Sequence, residues 1–105
     1  MPNYTLLDAQ QRHAEHPETF DVPTPAEIAA MRPGDHVKIG ATFTPTEGID
    51  TERYWLLLNA TTDGERFTGV VDNDLVYTAH HGLRYGDQLT VLSRHLMDTL
   101  KRGAA

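Results

Sequence analysis

Two strand-like runs joined by a two-residue turn limit the fold of this chain more than any other feature. Residues 52–62 and 65–72 are rich in strand-forming side chains, and Asp63-Gly64 separates them. Both central residues of a type I′ turn need positive φ, which Asp-Gly adopts readily. The sequence therefore predicts an antiparallel hairpin with a sheet built around it.

The length of the turn also sets the register, because a two-residue connection leaves one way to pair the two runs. The expected pairs are Leu56 with Val71, Leu58 with Gly69 and Ala60 with Phe67 on one face, and Arg53 with Asp74, Trp55 with Asp72, Leu57 with Val70 and Asn59 with Thr68 on the other. Both faces of the middle of the hairpin are then apolar, so we expect both to be covered.

Three further segments have strand patterns. Residues 35–43 alternate between polar and apolar side chains, which predicts a half-buried strand. Residues 75–78 and 89–92 are short apolar runs bounded by turn-prone residues, and each predicts a short strand. Residues 44–51 contain a proline and a glycine and predict a loop.

Helices are predicted near both ends of the sequence. Thr5 has the spacing of a capping residue for a helix over about 6–16. The string Thr24-Pro25-Ala26-Glu27 combines a capping threonine, a proline at the first helical position and a glutamate that closes the capping box, which predicts a helix over about 25–31. Ser93 can cap a C-terminal helix with Leu96, Met97 and Leu100 on one side.

One pattern occurs twice in the chain. Residues 32–39 and 84–91 both read Arg-x-Gly-Asp-x-aliphatic-x-aliphatic. Glycine supplies a positive-φ turn and aspartate binds its own backbone, so each copy predicts a tight turn before a strand. Together these elements predict an α+β fold: a small, strongly bent antiparallel sheet or open barrel of about five strands, with short N-terminal helices and a C-terminal helix.

Length and composition narrow the class of protein. The 105 residues predict a single domain over 1–105, with residues 103–105 frayed. The absence of cysteine excludes a disulfide framework, a thiolate nucleophile and cysteine-ligated zinc. Residues 1–8 lack the basic start of a signal peptide, and no apolar run approaches the roughly 20 residues of a membrane span, so we expect a soluble, cytoplasmic protein.

Charge bears on the choice of partner. Nine Lys and Arg face fifteen Asp and Glu, for a formal net charge of -6. Nucleic acids and anionic membranes bind through clustered basic residues, so we expect neither as a partner. A protein partner, and a basic one in particular, is favoured by this charge, whereas the oligomeric state is left open.

No enzyme or metal motif is present. His13 and His16 are three residues apart and His80 and His81 are adjacent, but neither pair has the further ligands that zinc requires. The Asp72-Asn73-Asp74 triplet has the wrong spacing for a calcium loop and predicts a tight turn. We therefore expect no metal and no cofactor, and an enzyme is disfavoured.

The residues that remain have the composition of a recognition surface. Aromatic side chains with polar tips, beside arginine, histidine and carboxylates, offer large rigid contacts. The candidate binding residues are Arg53, Trp55, Asp72, Asn73, Asp74, Tyr77, His80, His81 and Tyr85. The alternative is that Tyr54 and Trp55 belong to the core and that Arg53 only pairs with an acid.

Several motifs, in the same order, resemble a family of small bacterial domains. They are Thr19-Phe20 with Pro23, Pro33 to Lys38, Glu52 to Trp55, Gly69 to Asp74, Gly82 to Asp87 and Arg94 to Leu96. The family is grouped with immunity protein 33 of polymorphic toxin systems. The resemblance covers about residues 16–97, leaving residues 1–15 as a helical extension and Lys101-Arg102 as a basic tail outside it.

The resemblance implies a non-enzymatic binding module that neutralises a partner protein. The positions it carries over are Gly34, Asp35, Lys38, Glu52, Arg53, Trp55, Gly69, Asp72, Asn73, Gly86, Asp87 and His95, and no catalytic role comes with them. Two alternatives stay open. One is a small-molecule or metal-dependent enzyme that uses His80 or His81 with Asp72 or Asp74. The other is a structural or regulatory subunit that docks through an apolar patch of Ile28, Met31 and Leu100.

Overall fold

A computed structural model describes residues 4–46, 49–62 and 65–102. Six strands, three short helices and one 3₁₀ turn follow one another in this part of the chain. In chain order they are β1 (Thr5–Leu6), α1 (Ala9–Glu15), α2 (Pro25–Ala29), β2 (His36–Thr46), β3 (Ile49–Thr62), β4 (Arg66–Val71), α3 (Thr78–His81), β5 (Gln88–Leu92), the 3₁₀ turn Ser93–His95 and β6 (Asp98–Leu100).

The strands form one antiparallel sheet in the order β1-β2-β3-β4-β5. Strand β6 also pairs with β2, on the same edge as β1 but further toward the start of β2. The sheet curls into a half-barrel with short helices against it, which confirms the predicted α+β class, the bent antiparallel sheet and the short N-terminal helices.

The predicted hairpin is present as β3 and β4, but its register is correct only in one half. Leu56 faces Val71 and Leu58 faces Gly69, as predicted. Nearer the turn, Ala60 faces Thr68 instead of Phe67, because the register shifts by one residue between Leu58 and Ala60. An extra residue in one strand of a ladder produces such a bulge. The Asp63-Gly64 turn itself lies outside the described residues.

Two predictions about segments next to the hairpin are wrong. The expected loop at 44–51 is mostly strand, with β2 reaching Thr46 and β3 beginning at Ile49, and these two residues face each other. The expected strand at 75–78 is absent. Instead, Val76 and Tyr77 give their N–H groups to the Glu52 carboxylate at 2.7 and 2.8 Å, and α3 follows.

The capping residues determine where the two N-terminal helices begin. Helix α2 has the predicted capping box, with Thr24 and Glu27 exchanging side-chain and backbone hydrogen bonds of 2.9 and 3.1 Å. Helix α1 starts later than predicted because its cap is Asp8, which accepts the Gln11 N–H at 3.0 Å. Thr5, the predicted cap, pairs with β2 instead.

The predicted C-terminal helix is wrong. Residues 93–95 make only a 3₁₀ turn, and Asp98–Leu100 pair with the start of β2. Strand β1 covers the edge of β2 only at Thr42 and Ala41. The backbone groups at the other end of that edge need partners, and β6 supplies them in place of a local helix.

The two Gly-Asp turns share one detailed geometry, as the repeated pattern predicts. In 32–35 and 84–87 the aspartate accepts the arginine N–H at 2.8 and 2.9 Å, and the glycine φ is 98° and 87°. In the first turn, the Gly34 N–H and the Asp35 carbonyl both bond the backbone of Leu58. In the second, the Gly86 N–H and the Asp87 carbonyl both bond the backbone of Val71. The first turn therefore holds the start of β2 against β3, and the second holds the start of β5 against β4.

The two faces of the sheet differ in burial. The inner face is packed against the helices and forms the core, which includes Val37, Ile39, Tyr54, Leu56, Phe67, Val71 and Val91. The outer face has partly or fully exposed side chains, including Leu57 and Val70. The expectation that both faces of the hairpin are covered is therefore wrong for the outer one. Its residues are available to other molecules.

Candidate functional site

Register places two rows of side chains side by side on the outer face, which we call the open face. The first row contains Leu100, His36, Leu57, Val70 and Gln88, and the second contains Asp98, Lys38 and Trp55. Neighbouring strands lie about 4.8 Å apart, so the first row spans roughly 20 Å. All eight residues are half-exposed or exposed.

Trp55 lies at the end of the second row, next to Lys38. The Lys38 ammonium lies 5.6 Å from the centre of its ring, within the range of a cation–π contact. The His36 ring meets the indole edge-on, with centres 6.5 Å apart. The indole is thus held in place by a cation and an imidazole, while part of it stays exposed.

Asp72 joins this group from the end of β4. Its Oδ2 lies 2.6 Å from His36 Nε2, and the side chains are 30% and 27% exposed. Its Oδ1 accepts the Tyr85 hydroxyl at 3.3 Å, while 64% of Tyr85 stays exposed. A histidine–carboxylate pair with a tyrosine at its rim can bind polar groups of another molecule.

Within the predicted Asp72-Asn73-Asp74 turn the chain bends at Asn73, and this bend is anchored on Trp55. The Asn73 amide oxygen accepts the Trp55 N–H at 2.6 Å, and the Asp72 N–H donates to the Trp55 carbonyl at 2.9 Å. The Asn73 amide also donates to the Asp74 carbonyl at 3.0 Å, and Asp74 is exposed. The bend therefore fixes Asp72 beside Trp55 and presents Asp74 to solvent.

Glu52 organises a second cluster, on the inner face. Its Oε1 accepts the Tyr77 N–H at 2.8 Å and lies 2.9 Å from His81 Nε2, and its Oε2 accepts the Val76 N–H. Burial alone would raise the pKa of Glu52, but the hydrogen bonds from Val76, His81 and Tyr77 outweigh it and hold that pKa below its usual value. The carboxylate fastens the 76–81 segment to β3.

His81 has both ring nitrogens engaged. Nε2 faces Glu52, and Nδ1 accepts the Leu83 N–H at 3.0 Å, in a side chain that is only 1% exposed. A general base needs a nitrogen that can reach a substrate proton. His81 is thus placed as a structural residue, away from Asp72.

Aromatic contacts position the remaining predicted residues. The exposed His80 ring stacks on Phe43 with centres 5.7 Å apart and planes 10° apart, and Tyr77 lies 5.6 Å from the same Phe43 ring. The His80 ring is nearly parallel to the Phe43 ring and the His81 ring meets it edge-on, with centres 5.6 Å apart, and no aromatic contact or hydrogen bond joins either histidine to Asp72 or Asp74 among the described residues.

The nine predicted binding residues thus fall into two groups. Trp55, Asp72, Asn73, Asp74 and Tyr85 come together at the open face, with Arg53 exposed one pair further along β3. Tyr77, His80 and His81 belong to the Glu52 cluster. The alternative core assignment is right for Tyr54, which is 1% exposed, but Trp55 is half-exposed.

Sequence reasoning missed three residues of these clusters: His36, Lys38 and Glu52. The β2–β3 register places Lys38 opposite Trp55. That register could not be predicted, because the sequence pattern indicated a loop over 44–51 where the strands in fact reach Thr46 and Ile49. The only signal for Lys38 and Glu52 was their place in the family resemblance. His36 had no signal beyond its place within the Pro33 to Lys38 motif and its polar position in an alternating strand.

A cavity of about 160 Å³ borders the open face at Lys38 and Asp98, and two larger surface cavities lie away from Trp55. One, of about 550 Å³, is lined by residues 22–24 and part of α2, together with Gln10, His13, Glu65 and Ser93. The other, of about 460 Å³, is lined by Arg12, Arg53 and Tyr77 among others. His36 and Asp72 line neither cavity, and within the described ranges no three His, Asp or Glu side chains are grouped to hold a metal ion.

No protein-family model, curated protein or solved structure matches this chain. Among the helices of the described residues, of which the longest is the seven-residue α1, none has the length and apolar character to cross a membrane.

Proposed function

We propose that this protein is a non-enzymatic binding module that captures a basic protein through its open face, in the manner of an immunity protein that neutralises a toxin. One observation carries the proposal: Trp55 lies half-exposed on an uncovered sheet face, between Lys38 and the His36–Asp72 pair. Tryptophan held rigidly beside charged groups is typical of the residues that dominate binding energy at interfaces.

The layout of the open face matches the layout of protein interfaces. Leu57, Val70 and Trp55 form an apolar centre, and Asp98 and Gln88 stand at the ends of the two rows. Interfaces have such an apolar centre, which excludes water, within a polar rim that fixes orientation. The breadth of the face suits a folded protein better than a small molecule, which needs a concave pocket.

Charge supports a basic partner. The chain has a net charge of -6, Asp98 is exposed on the open face, and Asp74 is exposed two residues after Asp72. A negative protein attracts a positive one over a distance, which raises the rate of encounter and makes binding sensitive to salt. This property is useful to a module that must capture a toxic protein quickly.

The two alternative functions find less support. The enzyme hypothesis needs His80 or His81 beside Asp72 or Asp74, whereas His81 is buried against Glu52 and His80 stacks on Phe43. The docking-subunit hypothesis needs Ile28 and Met31 on the surface, but they are only 7% and 2% exposed and belong to the core.

The test is affinity capture of the tagged protein from lysate of its own host, compared with two matched variants. Val70→Lys places a positive charge in the middle of the open face. Val76→Lys makes the same change at a residue that is 78% exposed and lies in another segment. We expect a basic protein that elutes with salt to be retained by the wild type and by Val76→Lys, and lost at least tenfold with Val70→Lys.

Two results would contradict the proposal. One is equal retention of the partner by the wild type and Val70→Lys, which would place the interface elsewhere. The other is the absence of any stoichiometric basic partner in the wild-type sample. Circular dichroism of both variants shows whether each has kept the wild-type fold.

A further inference from the structure

The two edges of the sheet differ in how far other strands cover them. On the β2 edge, β1 and β6 cover much of the strand, and two further N–H groups, from Leu7 and Met97, bond the carbonyls between them. On the opposite edge β5 pairs with β4, and no other strand of the described residues pairs with it. The sheet therefore has one covered edge and one open edge.

The hydrogen bonds of β5 show which of its backbone groups face outward. Ser93 donates to the Glu65 carbonyl and Val71 donates to the Asp87 carbonyl, so the odd-numbered residues of this segment bond β4. In an antiparallel ladder the groups of alternate residues point the other way. The N–H and carbonyl groups of Gln88, Thr90 and Leu92 therefore face away from the sheet.

His95 supplies a hydrogen-bond partner at only one end of the β5 edge. Its Nδ1 accepts the Leu92 N–H at 3.0 Å. Gln88 and Thr90 are exposed, and within the described part of the chain no group hydrogen-bonds their outward N–H and carbonyl groups. Natural proteins protect such edges with charges, prolines or bulges, and residues 88–92 contain no charged residue and no proline.

We propose that a second copy of this chain pairs with β5, strand against strand and antiparallel, around a two-fold axis at Thr90. This inference is independent of the proposed partner on the open face. Two β5 strands paired in this way would exchange hydrogen bonds at Thr90 and continue one sheet across both copies.

The charges at the two ends of β5 favour a second copy as the occupant. Asp87 precedes the strand and Arg94 follows it, and the Arg94 side chain stays 53% exposed although its Nε lies 3.7 Å from the Asp8 carboxylate. Antiparallel pairing around Thr90 brings the Asp87 end of one copy opposite the Arg94 end of the other, twice by symmetry. The uncharged centre avoids the like-charge contacts that a net charge of -6 would otherwise create.

Sedimentation velocity over a concentration series tests the proposal on the full chain. From about 1 µM to about 1 mM, the range of weak association, we expect the wild type to shift from monomer to dimer. Thr90→Lys would place two like charges face to face on the axis and abolish the shift. Thr68→Lys is the matched control. Thr68 is hydrogen-bonded to Thr90 at 3.0 Å but lies on the interior strand β4, so the same charge is added next to Thr90 without being placed on the axis.

A mixed sample separates an edge contact from loss of fold. Thr90→Lys and Thr90→Glu should each be monomeric alone, and an equal mixture of the two should associate again because opposite charges then meet on the axis. The proposal is overturned by a wild type that stays monomeric at every concentration, by a Thr90→Lys protein that still dimerises, or by a mixture that does not associate. Strand addition by a different protein would leave the wild type monomeric.

Discussion

Two histidine–carboxylate pairs, made of similar groups, serve different ends in this molecule. His81 and Glu52 are buried on the inner face, and Glu52 accepts three hydrogen bonds that tie a loop to the sheet. His36 and Asp72 lie half-exposed on the open face beside Trp55. Burial and the number of partners, more than residue type, decide which pair builds the fold and which is available for binding.

The largest change in the free energy of unfolding is expected when the buried His81–Glu52 pair is broken. Glu52→Ala leaves the N–H groups of Val76 and Tyr77, and the His81 ring, without their acceptor, so we expect a loss of about 3 to 5 kcal/mol in the free energy of unfolding. Asp72→Ala removes a half-exposed partner and should cost about 1 kcal/mol or less. Urea denaturation measures both values, and equal losses would refute the distinction between the two pairs.

A smaller effect, of opposite sign, is expected at Tyr54. Its hydroxyl is buried beside the inner pair and has no hydrogen-bond partner within the described residues. Burial raises the pKa of Tyr54, as do Tyr4 and Glu52 nearby, so the hydroxyl stays neutral. Tyr54→Phe removes an unsatisfied polar group and should stabilise the protein by about 1 kcal/mol.

The matched change on the open face is Tyr85→Phe. It removes an exposed hydroxyl that donates to Asp72 at 3.3 Å, and we expect the free energy of unfolding to change by less than about 0.5 kcal/mol. Thermal and urea unfolding of both variants check the pair of predictions. A clear loss of stability in Tyr54→Phe would mean that its hydroxyl has a partner, such as a buried water.

The smallest effect concerns a third histidine, His95. Burial, followed by the charge of Arg94, lowers its pKa, and its Nδ1 accepts a backbone N–H as the same atom of His81 does. The unfolded chain therefore takes up a proton first as the pH falls, so the stability that His95 contributes is present above about pH 6.5 and is lost below it.

The measurement is the free energy of unfolding of wild type and His95→Gln at about pH 7.5 and at about pH 5.5, on either side of the usual histidine pKa. The wild type should lose more stability between the two conditions than the variant, by less than about 1 kcal/mol. A variant with an equal or larger loss would assign the pH dependence to other groups.

Local signals in the sequence predicted local structure well. The capping box at Thr24 and Glu27, the two Gly-Asp turns and the central hairpin all depend on contacts between residues close in the chain. Such hydrogen bonds are encoded by a few neighbouring residues, so a pattern can reveal them.

The features that the sequence did not predict depend on distant residues. His36 and Asp72 meet only after β2, β3 and β4 have paired, and a bulge in that ladder has no sequence signature. Residues 93–100 have helical spacing, but pairing with β2 decides their structure. Tertiary pairing overrides weak local preference, and this is why part of the candidate site could not be foreseen.

The pairing of β6 with β2 also has a consequence for the order in which the chain can fold during synthesis. Strand β2 leaves the ribosome well before Asp98–Leu100, yet it needs these residues to complete one end of its edge. Until they emerge, the backbone groups of His36 and Lys38 on that side are unpaired, and an unpaired edge invites contact with other nascent chains. The last-made strand of the sheet thus closes an edge that stays open to other nascent chains until synthesis reaches it.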